Sequence, residues 1–244
     1  VSTRFKLLAL DMDGTLLDGQ DEISEVNRQA IAKAREQGVH IVLSTGRSIA
    51  TCRPYAESLQ LNSYLVTVNG SEVWDDAGNL LERHPLHLED VEKMRELSRR
   101  YQTRFWAVTS ERVWRNQLPT DLSSSQWLKF GFDFDDDGVR TEVLEQLSEN
   151  PRLEITNSSP MNMEVNAVGV HKARGLETVC RRLGLSMDQV MAMGDSLNDI
   201  RMIKEAGLGI AMGNAQDVVK EAADWVTGTN EEDGVAQAIR YWLI

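Results

Sequence analysis

Both ends of this chain repeat one pattern: a short, mostly apolar run, then a turn of glycine, acids and hydroxyls, then a segment of helical period. Leu7–Leu10 is such a run, and Asp11-Met12-Asp13-Gly14-Thr15 follows it with no spacer. A strand with no polar alternation is buried on both faces, the condition of a parallel sheet covered by helices. Val26, Ala30, Ile31 and Ala34 then predict a helix over about 24–37, stopped by Gly38. A second run at Val39–Leu43, a helix over 48–60 and a third run at Tyr64–Val68 extend the series. From residue 171 it resumes, with helices over 172–184, 197–206, 215–222 and 232–243 and strands at Val190–Met193, Leu208–Met212 and Trp225–Thr227. The expected fold is α/β, a doubly wound, Rossmann-like parallel sheet.

The stretch between these ends reads differently. A hairpin over 72–83, turned at Asp76-Ala77-Gly78-Asn79, leads to an amphipathic helix over 88–101. Strand-like pieces at 104–109, 112–116, 127–134, 152–156 and 161–166 surround a helix over 141–149. Trp106, Trp114, Trp127 and four of the five Phe residues fall here, enough for a separate core. These aromatics read as core rather than as a ligand platform. The expected division is a parallel core over 1–81 and 169–244 with an inserted α+β unit over 82–168.

Composition narrows the partners. Lys and Arg number 26 and Asp and Glu 38, a formal charge of −12 that repels nucleic acid and anionic membranes. No apolar run approaches the ~18 residues of a membrane span. The first six residues lack the features of a secretory leader, and Cys52 and Cys180 form no disulfide framework, so a cytoplasmic setting is expected.

Four motifs carry chemistry. Asp11 and Asp13 flank Met12 directly after a buried strand, where an idle charge is costly and a ligand crevice opens. Ser44-Thr45-Gly46-Arg47 follows the second strand, and a hydroxyl with backbone N–H groups there can cradle a phosphate. Lys172 opens the helix after the insertion. Gly194-Asp195-Ser196-Leu197-Asn198-Asp199 sets two acids four apart at a helix start, where an N-cap accounts for only one of them. Asp133-Phe-Asp135-Asp-Asp137-Gly138 imitates the start of a calcium loop, but its twelfth position is Leu144, so it reads as an acidic turn.

Taken in this order, the motifs resemble the haloacid-dehalogenase-like (HAD) phosphohydrolases, most closely their Cof-like branch. The likeness runs through LLALDMDGTLL, IVLSTGR, MAMGDSLNDI and AGLGIAMGNAQDVVKEAADWVTGTNEEDGVAQAI. One departure is His171-Lys172-Ala173, where the branch usually has Ser-Lys-Gly. The resemblance implies a HAD core with an inserted cap, and a Mg²⁺-dependent phosphatase acting on a small phosphorylated metabolite, a sugar phosphate or a phosphorylated cofactor. It implies Asp11 as the nucleophile that forms an aspartyl-phosphate, and Asp13 as general acid and base. Mg²⁺ would be held by Asp11, the Asp13 main-chain oxygen and Asp195, with Asp199 hydrogen-bonding around them. Thr45, Gly46, Lys172, Asn198 and the Met12 amide would bind phosphoryl oxygens, and Asn69-Gly70 would serve as substrate contact and hinge. A phosphosugar mutase shares this chemistry. A non-catalytic phospholigand-binding regulator fits less well, because both Asp11 and Asp13 are present. One site per chain requires no second subunit, so a monomer suffices.

Overall fold

The computed structural model describes residues 4–244; the first three residues, part of the leader reading, lie outside the described residues. Strands β1 (Leu7–Leu10), β2 (His40–Ser44) and β3 (Leu65–Thr67) are joined by helices α1 (Glu25–Glu36) and α2 (Ile49–Ser58). The chain then folds back through β4 (Glu72–Trp74) and β5 (Leu80–Arg83). Next come α3 (Leu88–Arg100), β6 (Arg104–Thr109), β7 (Val113–Arg115), β8 (Trp127–Asp133), α4 (Asp137–Ser148), β9 (Leu153–Thr156) and β10 (Asn162–Ala167). The last third runs α5 (Lys172–Leu183), β11 (Val190–Gly194), α6 (Ile200–Glu205), β12 (Leu208–Ala211), α7 (Asp217–Ala222), β13 (Trp225–Val226) and α8 (Gly234–Trp242).

These strands form two sheets. The larger has the order β13-β12-β11-β1-β2-β3-β4-β5 and the smaller β7-β6-β8-β10-β9. In the larger sheet the six strands from β13 to β3 are parallel, and β4 and β5 add an antiparallel edge. β5 stays in this sheet to Arg83, two residues past the expected limit at 81.

The sheet is parallel because its centre has no wet face. Every residue of β1 is buried, Leu8 and Leu10 toward one apolar cluster and Leu7 and Ala9 toward another. Ala30, Ile31 and Ala34 of α1 and Val235, Ala238 and Ile239 of α8 cover the first face. Leu176, Val179 and Cys180 of α5 cover the second. Helix α1 starts where the Ser24 hydroxyl accepts the Asn27 N–H at 3.1 Å, and the chain turns away at Gly38 with φ +83°. Helix α5 packs so closely on β3 that a Cβ on Gly175 would lie 2.4 Å from Val66 Cγ1. That close approach sets the start of α5, and Lys172 with it, behind the strand ends.

The smaller sheet is antiparallel throughout and has its own core. Period-2 alternation splits its strands. Phe105, Ala107, Trp114, Phe130, Phe132, Met163 and Val165 face a cluster shared with α3 and α4 residues. Trp106, Val108 and Val113 belong to the opposite face, where they gather with Leu128 around Val68 of the larger unit. Helix α4 begins four residues before its expected start at 141, because Asp136 is its N-cap and accepts the Val139 N–H at 2.9 Å. The acidic run therefore opens a helix. Its neighbours Asp135 and Asp137 pair with Arg104 and Arg140. Among the described residues no helix is long and apolar enough to cross a membrane.

Candidate active site

The parallel strands end on one side of the sheet, and the site is built there from three turns and the start of α5. The turn after β1 carries Asp11 and Asp13, the turn after β2 carries Thr45 to Arg47, α5 supplies Lys172, and the turn after β11 carries Asp195 to Asp199. Gly14 has φ +77°, and a Cβ there would strike Asp195 Oδ2 at 2.5 Å, so glycine lets the first and last turns meet.

At the centre, Lys172 Nζ donates to Asp11 Oδ1 at 2.5 Å and to Asp199 Oδ1 at 2.7 Å. Lys172 and Asp199 are fully enclosed. Burial alone would drive the ammonium toward neutrality, but Asp11 and Asp199 win and hold it above the usual lysine range. The other oxygen of Asp199 accepts the Asp195 and Ser196 N–H groups at 3.0 and 3.1 Å. Asp199 is thus a brace that fixes both the lysine and the last turn.

Asp195 differs. Its Oδ1 is buried and has no hydrogen-bond partner, while Oδ2 takes the Ser196 hydroxyl at 3.0 Å. Burial, then the Asp199 charge, push its carboxyl up to about 7. Asp11 is raised too, by burial first and Asp199 second, with Lys172 opposing. One ligand oxygen from each of Asp11, Asp195 and Asp199 falls within 4.8 Å of the others. An orphaned buried carboxylate oxygen in an all-oxygen cluster fits a hard divalent cation such as Mg²⁺.

Asp13 turns outward to the mouth of the site. Its carboxylate is gripped by Arg47, with Nη2 at 2.5 Å and Nε at 2.9 Å. Arg47 also reaches Asp21 at 2.8 Å and lies over the Tyr55 ring. The hydrogen bond to Asp13 holds Arg47 above its usual range. The sequence offers Arg47 only as part of a turn motif; its partner lies 34 residues away, beyond any local pattern.

The remaining expected residues divide by depth. Gly46 and Asn198 line the cavity, whereas Met12, Thr45 and Asn69 are buried behind it. Met12 packs in the core and its carbonyl accepts the N–H groups of Thr15, Leu16 and Leu17. The Thr45 hydroxyl accepts the Arg47 N–H at 3.1 Å. Val68, Asn69 and Gly70 form a left-handed turn, with φ of 51°, 60° and 96°. A β-branched residue rarely adopts such a φ. It is held because Val68 N–H and Asn69 N–H donate to the Arg47 and Thr45 carbonyls at 2.9 Å. At Gly70 a Cβ would meet the His171 carbonyl oxygen at 2.5 Å, so the outgoing and returning chain cross there.

The smaller sheet closes the site from above with residues not anticipated from the sequence. Lys129, from β8, donates to the Gly46 carbonyl at 2.8 Å and pairs with Glu164 of β10 at 3.1 Å. Glu164 accepts Asn69 Nδ2 at 2.6 Å and the Ser158 hydroxyl at 3.0 Å. Asn69 Oδ1 in turn accepts from Asn198 at 3.3 Å. Lys129 and Glu164 are both buried, so this network joins the two sheets through the turn after β2. Period-2 alternation in β8 and β10 is the one sequence signal that sets them apart from their apolar neighbours. Between the two units lies a cavity of about 430 Å³, lined by five carboxylates and three cations.

A model of the haloacid dehalogenase-like hydrolase family matches residues 8–129 and 115–239, and the chain belongs to this family. It is a phosphoric monoester hydrolase, with the family's core sheet and cap. The 5-amino-6-(5-phospho-D-ribitylamino)uracil phosphatase YcsE of Bacillus subtilis is 58% identical over 239 residues, covering 98% of this chain and 96% of that one. The pyridoxal phosphate phosphatase YbhA of Escherichia coli is 29% identical, covering 98% and 99%. The crystal structure of a haloacid dehalogenase-like hydrolase from Bacteroides thetaiotaomicron is 30% identical, covers 97% and 99%, and superposes with a TM-score of 0.82.

Proposed function

We propose that this phosphatase transfers the phosphoryl group of its substrate to Asp11 and then to water, with Mg²⁺ as its cofactor. The carrying observation is the buried Asp11–Lys172–Asp199 chain beside the orphaned Asp195 oxygen, with Asp11 and Asp195 lining one cavity. Lys172 engages one Asp11 oxygen and leaves the other to attack phosphorus. The phosphorus–alcohol bond breaks as the Asp11–phosphorus bond forms, and Asp13 gives the departing oxygen its proton. Water then attacks phosphorus, Asp13 takes the water proton, and Asp11 is released. Gly46, Lys172 and Asn198 stabilise the phosphoryl oxygens, with the Met12 amide and Thr45 beside them. Asn69-Gly70 acts as the hinge beneath the cap, and residues 82–168 act as that cap.

Asp11, the Asp13 main-chain oxygen and Asp195 would hold Mg²⁺, which supplies positive charge for a dianionic phosphate in a cavity richer in carboxylates than in cations. The substrate we propose is a phosphorylated polyol bearing a planar ring, of the kind named for the relative at 58% identity. The test is release of inorganic phosphate from p-nitrophenyl phosphate with and without Mg²⁺. No release by the wild type with Mg²⁺ overturns the reading. Conversion of a sugar phosphate to its isomer without phosphate release makes the chain a mutase instead.

A further inference from the structure

The cap side of the cavity is one face of a pleated sheet, and its residues are not those of a phosphate site. One cross-strand row, in register, reads Glu164, Gly131, Trp106, Arg115. The next reads Lys129, Val108, Val113. An ideal Cβ on Gly131 would lie 2.2, 2.3 and 2.6 Å from Trp106 Cε2, Cζ2 and Cδ2. Three ring atoms at nearly equal distance mean that the face of the indole, not its edge, covers the glycine. The ring is therefore held flat against backbone, packed beside Val108 and Val113, and lines the cavity with what remains exposed.

The three cations of the cavity are not equivalent. Arg47 is committed to Asp13 and Asp21, and Lys129 to Glu164 and the Gly46 carbonyl. Arg115 is exposed and, among the described residues, its side chain makes no hydrogen bond or ion pair; its electrostatic partner is the more distant Asp133. An uncommitted guanidinium lies beside a clamped indole, with Val108 and Val113 in the next row. That pair suits a flat ring with carbonyl oxygens on its rim.

We propose that this face is a leaving-group subsite for a planar, hydrogen-bonding heterocycle of the pyrimidine type, stacked on Trp106 with Arg115 donating to its rim. It rests on the phosphatase reading above. The test uses two phosphates that share a chain and differ by the ring: 5-amino-6-(5-phospho-D-ribitylamino)uracil and ribitol 5-phosphate. Stacking on an aromatic side chain predicts a kcat/KM preference of about tenfold or more for the ring-bearing compound. Trp106→Ala and Arg115→Met each reduce that preference at least about fivefold, mainly through KM, and Trp106→Phe retains most of it. Arg115 is exposed and outside the core, so its variant reports on the subsite even if Trp106→Ala fails to fold. Equal wild-type rates on the two compounds, or variants that slow both by the same factor, overturn the subsite and leave the phosphatase standing. Hydrolysis of neither compound while p-nitrophenyl phosphate is cleaved overturns the subsite alone; hydrolysis of none of the three with Mg²⁺ present overturns the phosphatase reading as well.

Discussion

At the scale of single residues, the site depends on one buried ammonium between two carboxylates. Asp11→Asn should abolish phosphate release while leaving the circular dichroism spectrum and melting profile cooperative; wild-type turnover in that variant would refute the nucleophile. Lys172→Met removes the cation and leaves Asp11 and Asp199 facing each other without water. Breaking a buried pair in this way costs about 3 kcal/mol or more, to be read from urea unfolding. Arg47→Lys keeps the charge but loses the fork that grips Asp13, and should lower kcat while the fold stays intact. Asp11, Asp13 and Asp195 were legible because each follows closely on an apolar run that announces a strand end, Asp199 through its spacing from Asp195, and Lys172 only through the family resemblance. The Asp13–Arg47 and Lys129–Glu164 pairs were not, because nothing local joins residues 34 or 35 positions apart.

At the scale of elements, apolar runs located every strand of the parallel sheet, whereas polar signals were easier to misread. Asp136 looked like part of a turn, yet a side-chain oxygen next to a free N–H is also how a helix begins. Asp136→Ala should cost about 1 kcal/mol of stability, measured by chemical denaturation. In the sequence Trp106 reads as core with the other aromatics of the insertion, and it does pack against Val108. Alternation places it opposite Phe105, but only the docking of the two sheets decides which face stays wet. Glu164 lies on the same inner face as Trp106. Burial alone would raise its carboxyl, yet Lys129 and then Asn69 hold it below the ordinary value of 4.5. A depressed carboxyl contributes stability that is present above pH 4.5 and lost as pH falls through the lower, folded value. The wild-type melting temperature should therefore drop on acidification below about pH 4.5, and that acid-side drop should be smaller in Glu164→Gln. The same variant should be less stable at pH 7, since it strands the Lys129 charge. An identical acid profile in wild type and variant would refute this assignment.

At the scale of the whole molecule, a chain of charge −12 binds a dianion. The surrounding field opposes the ligand, so attraction must come from groups inside the cavity and, on the proposed reading, from Mg²⁺. Adding Mg²⁺ to protein stripped with chelator should raise the melting temperature, the unfolding free energy growing by about 2.7 kcal/mol at a hundred times the dissociation constant. Asp195→Asn should remove most of that rise, as followed by calorimetry without any substrate. A shift of full size in the variant would show that the ion binds elsewhere.

The position of β7 has a consequence for how such a protein diversifies. It is a three-residue strand at the free margin of the smaller sheet, bonded on one side only, and it carries Val113 and Arg115. The left-handed turn at 68–70, by contrast, is wedged between the Thr45–Arg47 carbonyls and His171. On the subsite proposed above, mutations at the margin change which compound is accepted without disturbing the parts that cleave it, and mutations at the turn do not. A combinatorial library aimed at new substrates should therefore vary positions 113 and 115 first, and leave 68–70 untouched.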